Sequence, residues 1–319
     1  MMKLRSLALT CCLLCPLVSA AAAPAYPQRT VRIVTAEAGG GTDFVSRILA
    51  QGLTARLKQQ VIVDNRPSGA VQGDIVANAN PDGHTLLLNG SNIWLAPFMQ
   101  DGLPYDPIRD FAPVSLLTRS PNMLVAHPSV PAKTAAELIA LAKARPGQLN
   151  YGSSAAGGAS HLAAELFRSM GGIEVVRVPF RGTGPGLNAL MGAQIQYMFV
   201  AVSAALPQVK AGRLKGLGIS SAEPSALAPE YPPIAKSGLP GYESVAIYGI
   251  FAPVKTPAAL VAHLHREIVE VMKSSEARDR LLASGAEPVA STPAEFGETV
   301  KREMNKWADT MRAARKQSE

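Results

Sequence analysis

Beyond Cys15 this 319-residue chain contains no cysteine, so its body can hold neither a disulfide framework nor a thiolate nucleophile. Aromatic residues are 5% of the total and no run of basic residues exceeds two, despite a formal net charge of +7. A stacking platform for nucleic acid is therefore not expected, and the scattered charges read as a solvated surface. No run is long and apolar enough to span a bilayer, which takes roughly 20 residues. The five histidines, His84, His127, His161, His263 and His265, are not at metal-ligand spacings. His263 and His265 lie two apart on a helical pattern and point in different directions. Catalytic signatures are missing too. Gly152-Ser153-Ser154-Ala155-Ala156-Gly157 has the wrong spacing for a nucleophile elbow. Gly39-x-Gly41 lacks the third glycine of a dinucleotide fingerprint, since Phe44 stands there. No cofactor and no metal site are expected.

What is present begins with the amino terminus. Lys3 and Arg5 precede an uncharged, mostly apolar run from Ser6 to Val18, followed by small residues at Val18-Ser19-Ala20 and Ala21-Ala22-Ala23. This is the layout of a secretory signal peptide over residues 1–23, with the mature end expected between Ala20 and Tyr26. The three cysteines then belong to its apolar region and leave with it.

From Thr30 onward short β-rich runs alternate with amphipathic helical patterns, the mark of an α/β fold with largely parallel strands. Val31–Val34, Val61–Val63 and Thr85–Leu88 read as strands, and Val45, Ile48, Leu49, Leu53 and Leu57 share one helical face. A second βα system follows Met123–Ala126, with strands expected at Leu149–Gly152, Val175–Val178, Ile195–Phe199 and Leu217–Ser220. Thr134 with Glu137, and Thr292 with Glu295, are capping boxes. Ser160 is expected to open a helix that Gly171-Gly172 closes, and Pro257 to take the first helical position after Thr256. Two βα systems with β-rich segments near Met123 and Val245–Phe251 imply two lobes joined by two crossovers. Lobe one is expected over 24–124 and 249–319, and lobe two over 125–248.

Two glycine-rich turns each link a strand to a helix: Gly39-Gly40-Gly41-Thr42-Asp43, and Gly152-Ser153 through Gly157-Gly158 to Ser160. Glycine lets a ligand approach the backbone, and the following helix offers free N–H groups at the positive end of its dipole. Facing turns would clamp a carboxylate. Gly40, Gly41 and Thr42 from one lobe, with Ser153, Ser154 and Gly157 from the other, are the candidate ligand contacts. Ser91, Phe180 and Tyr248 are candidate lining residues. Asp43 and Ser160 read either as helix caps or as ligand contacts.

Ordered stretches across the mature chain carry a resemblance. They include Tyr26-Pro27, Gly39-Gly40 to Thr42-Asp43, Val63-Asp64-Asn65-Arg66-Pro67, Pro81-Asp82-Gly83 with Thr85-Leu86-Leu87, and Leu103-Pro104-Tyr105-Asp106-Pro107 running into Asp110-Phe111-Ala112-Pro113-Val114. Asn150-Tyr151-Gly152-Ser153, His161-Leu162-Ala163, Val178-Pro179-Phe180-Arg181-Gly182, Gly238-Leu239-Pro240-Gly241-Tyr242-Glu243 and Gly285-Ala286-Glu287-Pro288-Val289 continue the series. The chain resembles the Bug-type receptors of the tripartite tricarboxylate transporter family. The resemblance implies a two-lobed periplasmic-binding-protein fold of type II that closes on its ligand without catalysis. It also implies glycine turns that grip a carboxylate-type group, and delivery to the membrane permease subunits of such a transporter. A monomer in the periplasm is expected. Presentation of the ligand to a sensor is the alternative, and a hydrolase using Ser153 or Ser91 with His161 is the contrasting class.

The chain departs from the family pattern at three places. Val34-Thr35-Ala36-Glu37-Ala38 replaces the usual V-P-F-A/P-P/A, Ile247 stands where tryptophan is common, and Val200 stands where an acid often follows the Met-Phe pair. Glu37 reads either as a solvated loop carboxylate or as a group that faces the cleft, and the second reading carries an electrostatic cost. An ionised carboxylate about 6 Å from a ligand carboxylate costs on the order of 3 kcal/mol at an effective dielectric of 20, roughly a hundredfold in affinity. The expectation is a receptor that disfavours di- and tricarboxylates relative to neutral or amine-bearing ligands.

Overall fold

The computed structural model describes residues 26–36, 38–39, 41–66, 70–153, 158–180 and 182–316. The first half is β1 (Val31–Thr35), α1 (Gly41–Leu57), β2 (Val61–Asn65), α2 (Ala70–Ala77) and β3 (Thr85–Gly90). Two short helices, α3 (Ser91–Trp94) and α4 (Ala96–Met99), lead into the long strand β4 (Phe111–Ala126). The second half holds α5 (Ala135–Ala144), β5 (Asn150–Ser153), α6 (Ala159–Gly171), β6 (Val176–Pro179), α7 (Thr183–Met191), β7 (Tyr197–Ala201), α8 (Val202–Lys210) and β8 (Lys215–Ile219). The chain returns through β9 (Val245–Pro253) and ends with α9 (Ala258–Lys273), α10 (Ser275–Ala283), β10 (Glu287–Pro288) and α11 (Pro293–Lys316).

The expected local signals are realised with small shifts. Thr134 accepts the Glu137 N–H, while the Glu137 carboxylate accepts the Lys133 N–H. Thr292 and Glu295 form the reciprocal box at the start of α11. Gly172, at φ 57°, ends α6 in the left-handed conformation. Two positions differ from expectation. Pro257 is the N-cap of α9 and not its first helical residue. Gly158 is the N-cap of α6, so Ser160 lies one residue inside the helix.

Both halves use one strand order. In the first the order is β2-β1-β3-β9-β4, and in the second β6-β5-β7-β4, with β8 on the other side of β4. β1, β2 and β3 are mutually parallel, as are β5, β6 and β7, while β9 and β4 run antiparallel to the strands they join. β4 serves both halves. It pairs with β9 as far as Pro121↔Val245 and with β7 from Asn122↔Ala201.

Separate apolar clusters fill the two halves. Ile33, Leu49, Leu86, Ile250 and Ile268 belong to one in the first half. Leu138, Tyr151, Phe167 and Tyr197 belong to one in the second. A third cluster around Trp94, Phe251 and Phe296 also takes in Leu162 of α6, giving the halves a shared apolar contact. In α/β sheets ligands bind beyond the carboxyl ends of strands where the order reverses. Here those points are the ends of β1 and β5, which carry the two glycine turns.

Candidate functional site

The turn after β1 is fastened from behind. Asp43, in the first turn of α1, accepts the Gly39 N–H at 2.9 Å, and its other oxygen accepts from Asn65 at 2.9 Å. Arg47 adds an ion pair at 3.0 Å, and Asn65 also donates to Ala36 O at 2.7 Å. Burial alone would raise the Asp43 pKa. The hydrogen bonds from Arg47, Gly39 and Asn65, with the Arg47 charge, outweigh it and hold the carboxyl below its ordinary value. Asp43 thus holds the turn and does not line the cavity beside it. Gly41 does line it, and a Cβ there would lie 2.6 Å from the Tyr248 hydroxyl oxygen. No larger residue fits beneath Tyr248 unless that ring moves.

The second lobe presents three helix starts. Ala159, Thr183 and Ala201 line the cavity at the beginnings of α6, α7 and α8. Their N-cap residues, Gly158, Gly182 and Ala201, make no side-chain cap. The first N–H groups of these helices are therefore not taken up by cap side chains, and each helix places roughly half a positive charge at its start. Ser160 lines the same wall with its hydroxyl turned to Phe199 O at 2.7 Å.

Between these walls lies a cavity of about 450 Å³. The crossovers supply Ser120, Asn122, Ala246 and Tyr248, and the turn after α10 supplies Ser284 to Ala286. Phe44 and Val200 add apolar surface. Among the described residues that line it there is no Asp, Glu, Lys, Arg or His. Among the described lining residues, side chains contribute hydroxyls and one carboxamide.

Around the end of β5 sits a charged cluster. Ser153 is fully buried and its hydroxyl accepts from Arg177 Nε at 2.8 Å. Glu165 is bonded to the Tyr151 hydroxyl and, at 2.8 Å, to Arg168. Burial would raise its pKa, but these donors and the Arg168 charge bring it below the ordinary value. Burial and then the Arg177 charge push His161 down to about 4, against the opposing pull of Glu165. The ring is neutral at physiological pH.

Of the residues singled out by sequence, Gly39, Gly41, Ser160, Val200 and Tyr248 line the cavity. Gly40, Ser154, Gly157 and Glu37 lie outside the described residues. Thr42, Asp43, Ser91, Ser153 and Phe180 are not among its lining. Thr42 is buried in the first turn of α1. Ser91 follows Gly90, which pairs with Tyr248. Phe180 packs against the apolar cluster of α7 and β7. The Ser153 hydroxyl of the hydrolase alternative is buried on Arg177. Ile247 is buried beside Trp94 in the shared cluster and leaves the lining to its neighbours.

Sequence reasoning missed Ser120, Asn122, Thr183 and the Ser284–Ala286 turn. The break at Ser120-Pro121-Asn122 just before the apolar run Met123–Ala126 was the available signal. Thr183 behind Gly182 was another, since Gly182 takes a φ of 99° to start α7.

Comparison with known proteins agrees with this geometry. Residues 45–315 match the family described as "Tripartite tricarboxylate transporter family receptor". Protein BugT of Bordetella pertussis is 32% identical over 295 residues, covering 91% of this chain and 90% of that protein. The structure of Rpa4515 from R. palustris with adipate is 31% identical, with a TM-score of 0.76, over 91% of this chain and 99% of that one. MatC (Rpa3494) from Rhodopseudomonas palustris, with bound malate, is 32% identical, with a TM-score of 0.74, over 90% and 100%. By fold and by family match, the chain belongs to the tripartite tricarboxylate transporter receptors, two-lobed solute-binding proteins.

Proposed function

We propose that this receptor captures a small carboxylate in the periplasm and hands it to the permease subunits of a tripartite tricarboxylate transporter. The observation that carries the reading is the convergence of the α1, α6, α7 and α8 starts on a cavity whose described lining bears no charged side chain. An anion there is held by backbone N–H groups and helix dipoles. A cavity of about 450 Å³ is within the range of small-molecule sites. The adipate and malate bound by the two similar structures are of this chemical class.

The lobes in this reading are 24–124 with 249–319, and 125–248. The change of partner along β4 at Pro121–Asn122 and the start of β9 at Val245 fall within a few residues of those limits. Residues 1–23 act as the export signal, and among the described residues no helix is long and apolar enough to cross a membrane. The receptor works as a monomer.

The test is thermal melting and calorimetry of the purified protein with succinate, malate, adipate, hexanoate and benzoate. A saturable rise in melting temperature with at least one of them, without turnover, is expected. Silence across the panel would refute the carboxylate assignment. Intact mass of periplasmic material checks export, which fails if residues 1–15 are still attached.

A further inference from the structure

Asn122 stands where β4 passes from one half of the molecule to the other. Its backbone is fixed by Ser220 through both its N–H and its carbonyl. The Asn122 N–H donates to Ser220 Oγ at 2.8 Å, and its carbonyl accepts the Ser220 N–H at 2.8 Å. Ser220 in turn donates to Ser244 O at 2.5 Å, tying the second crossover to the first. The Asn122 side chain is treated differently. The residue is only 5% exposed and lines the cavity, yet its Nδ2 has no hydrogen-bond partner among the described residues.

A buried carboxamide carries two donors and an acceptor, and leaving them unmet is costly. Other buried polar atoms also lack partners, among them Trp94 Nε1, Thr118 Oγ1 and Tyr197 Oη. None of those residues lines the cavity, so no ligand reaches them. Asn122 alone in that group belongs to the cavity lining. Its Cα partner across the sheet is Ala201, the N-cap of α8, which makes no side-chain cap. Opposed residues in antiparallel strands sit about 5 Å apart. The carboxamide and the start of α8 therefore address one small volume.

We propose that the Asn122 carboxamide is a ligand contact and selectivity determinant, donating a hydrogen bond to a carboxylate oxygen of the bound solute beside the start of α8. The inference rests on the carboxylate reading above. A carboxamide adds donors without adding charge, so it favours an oxygen acceptor while the helix dipoles supply the positive potential. An aspartate in its place keeps the shape but presents acceptors and a negative charge to the anion.

The experiment is calorimetry with adipate, malate, hexanoate and benzoate on wild type, Asn122→Ala and Asn122→Asp, with the melting temperature of each free protein as the folding check. Asn122→Ala should weaken the best wild-type binder about tenfold or more, and Asn122→Asp roughly a hundredfold at pH 8. The Asp variant should then recover as the pH falls to 6, taking up close to one proton on binding, because only the protonated acid can donate. A structural role for Asn122 would produce no such proton uptake. Variants within twofold of wild type, or an Asp variant whose loss does not depend on pH, overturn this inference and leave the receptor reading intact. A wild type that binds none of the four acids overturns both. Should neither variant fold, the Asn122 side-chain ¹⁵N signal in the wild type decides: a shift on saturation with adipate supports the contact, and an unmoved signal overturns it.

Discussion

Acid should loosen the second lobe through His161. The residue is 3% exposed on α6, with Arg177 of β6, and Glu165 and Arg168 of its own helix, acting on it. Burial and then the Arg177 charge depress its pKa from an ordinary 6.5 to about 4. A histidine held neutral in the fold but free to protonate when unfolded contributes stability that is full above pH 6.5. That contribution is lost as the pH falls toward 4, because the unfolded chain takes up the proton first. Between pH 7.5 and 4.5 the loss from this residue is about 2.5 kcal/mol, from a displacement of some 2.5 pH units. The carboxyls held low, Asp43 and Glu165, lose their contributions only at and below their unfolded values near pH 4, so they overlap little with this window. Urea unfolding of wild type and His161→Gln at the two pH values measures the difference. With a denaturant slope near 3 kcal/mol/M, the wild-type midpoint should fall close to 1 M further than that of the variant. Equal pH slopes in both proteins, or an NMR titration of the His161 ring with a midpoint near 6.5, would refute the reasoning.

Asp43→Ala removes the acceptor of the Gly39 N–H, Asn65 and Arg47. It should cost about 2 kcal/mol or more in stability and weaken carboxylate binding through a loosened turn, measured by denaturation and calorimetry together. Gly249→Ala would place a Cβ 2.0 Å from the Phe296 ring, which is fully buried between β9 and α11. Overpacking of about 1–3 kcal/mol should appear as a lower melting temperature, with ligand affinity little changed. The electrostatic expectation for Glu37 is checked by calorimetry of Glu37→Gln. Succinate and citrate should bind more tightly to the variant and any amine-bearing ligand less so, while unchanged affinities would place that carboxylate away from the cleft.

The fold was legible because its strands and helices obey local rules. Val31–Thr35 and Thr85–Gly90 are buried β-branched and leucine runs, and Thr134 and Thr292 cap their helices as written. The turn at Gly39–Asp43 was also legible, since glycine followed by a polar residue at a helix start has few other uses. The rest of the site was harder for a physical reason. Asn122, Thr183 and Ala286 are brought together only when β4 and β9 carry the chain across and back. No sequence periodicity records a meeting of residues so far apart in the chain. Asp43 was open in a different way. Its position in the turn was read correctly, but an acid there serves equally as a contact or as a clamp, and only its three partners decide for the clamp.

The crossover at residues 119–122 is the middle of a 16-residue strand that keeps its hydrogen-bonded neighbours through the passage. A loop hinge yields at little energetic cost, whereas a paired ribbon behaves as a leaf spring. Flexing it strains bonds that remain made, and the resistance grows with the angle. Closure around a solute would then load that spring, and the recoil would help to reopen the jaws when the solute is withdrawn. The same stiffness would limit how far the jaws travel, and with it the range of guest sizes.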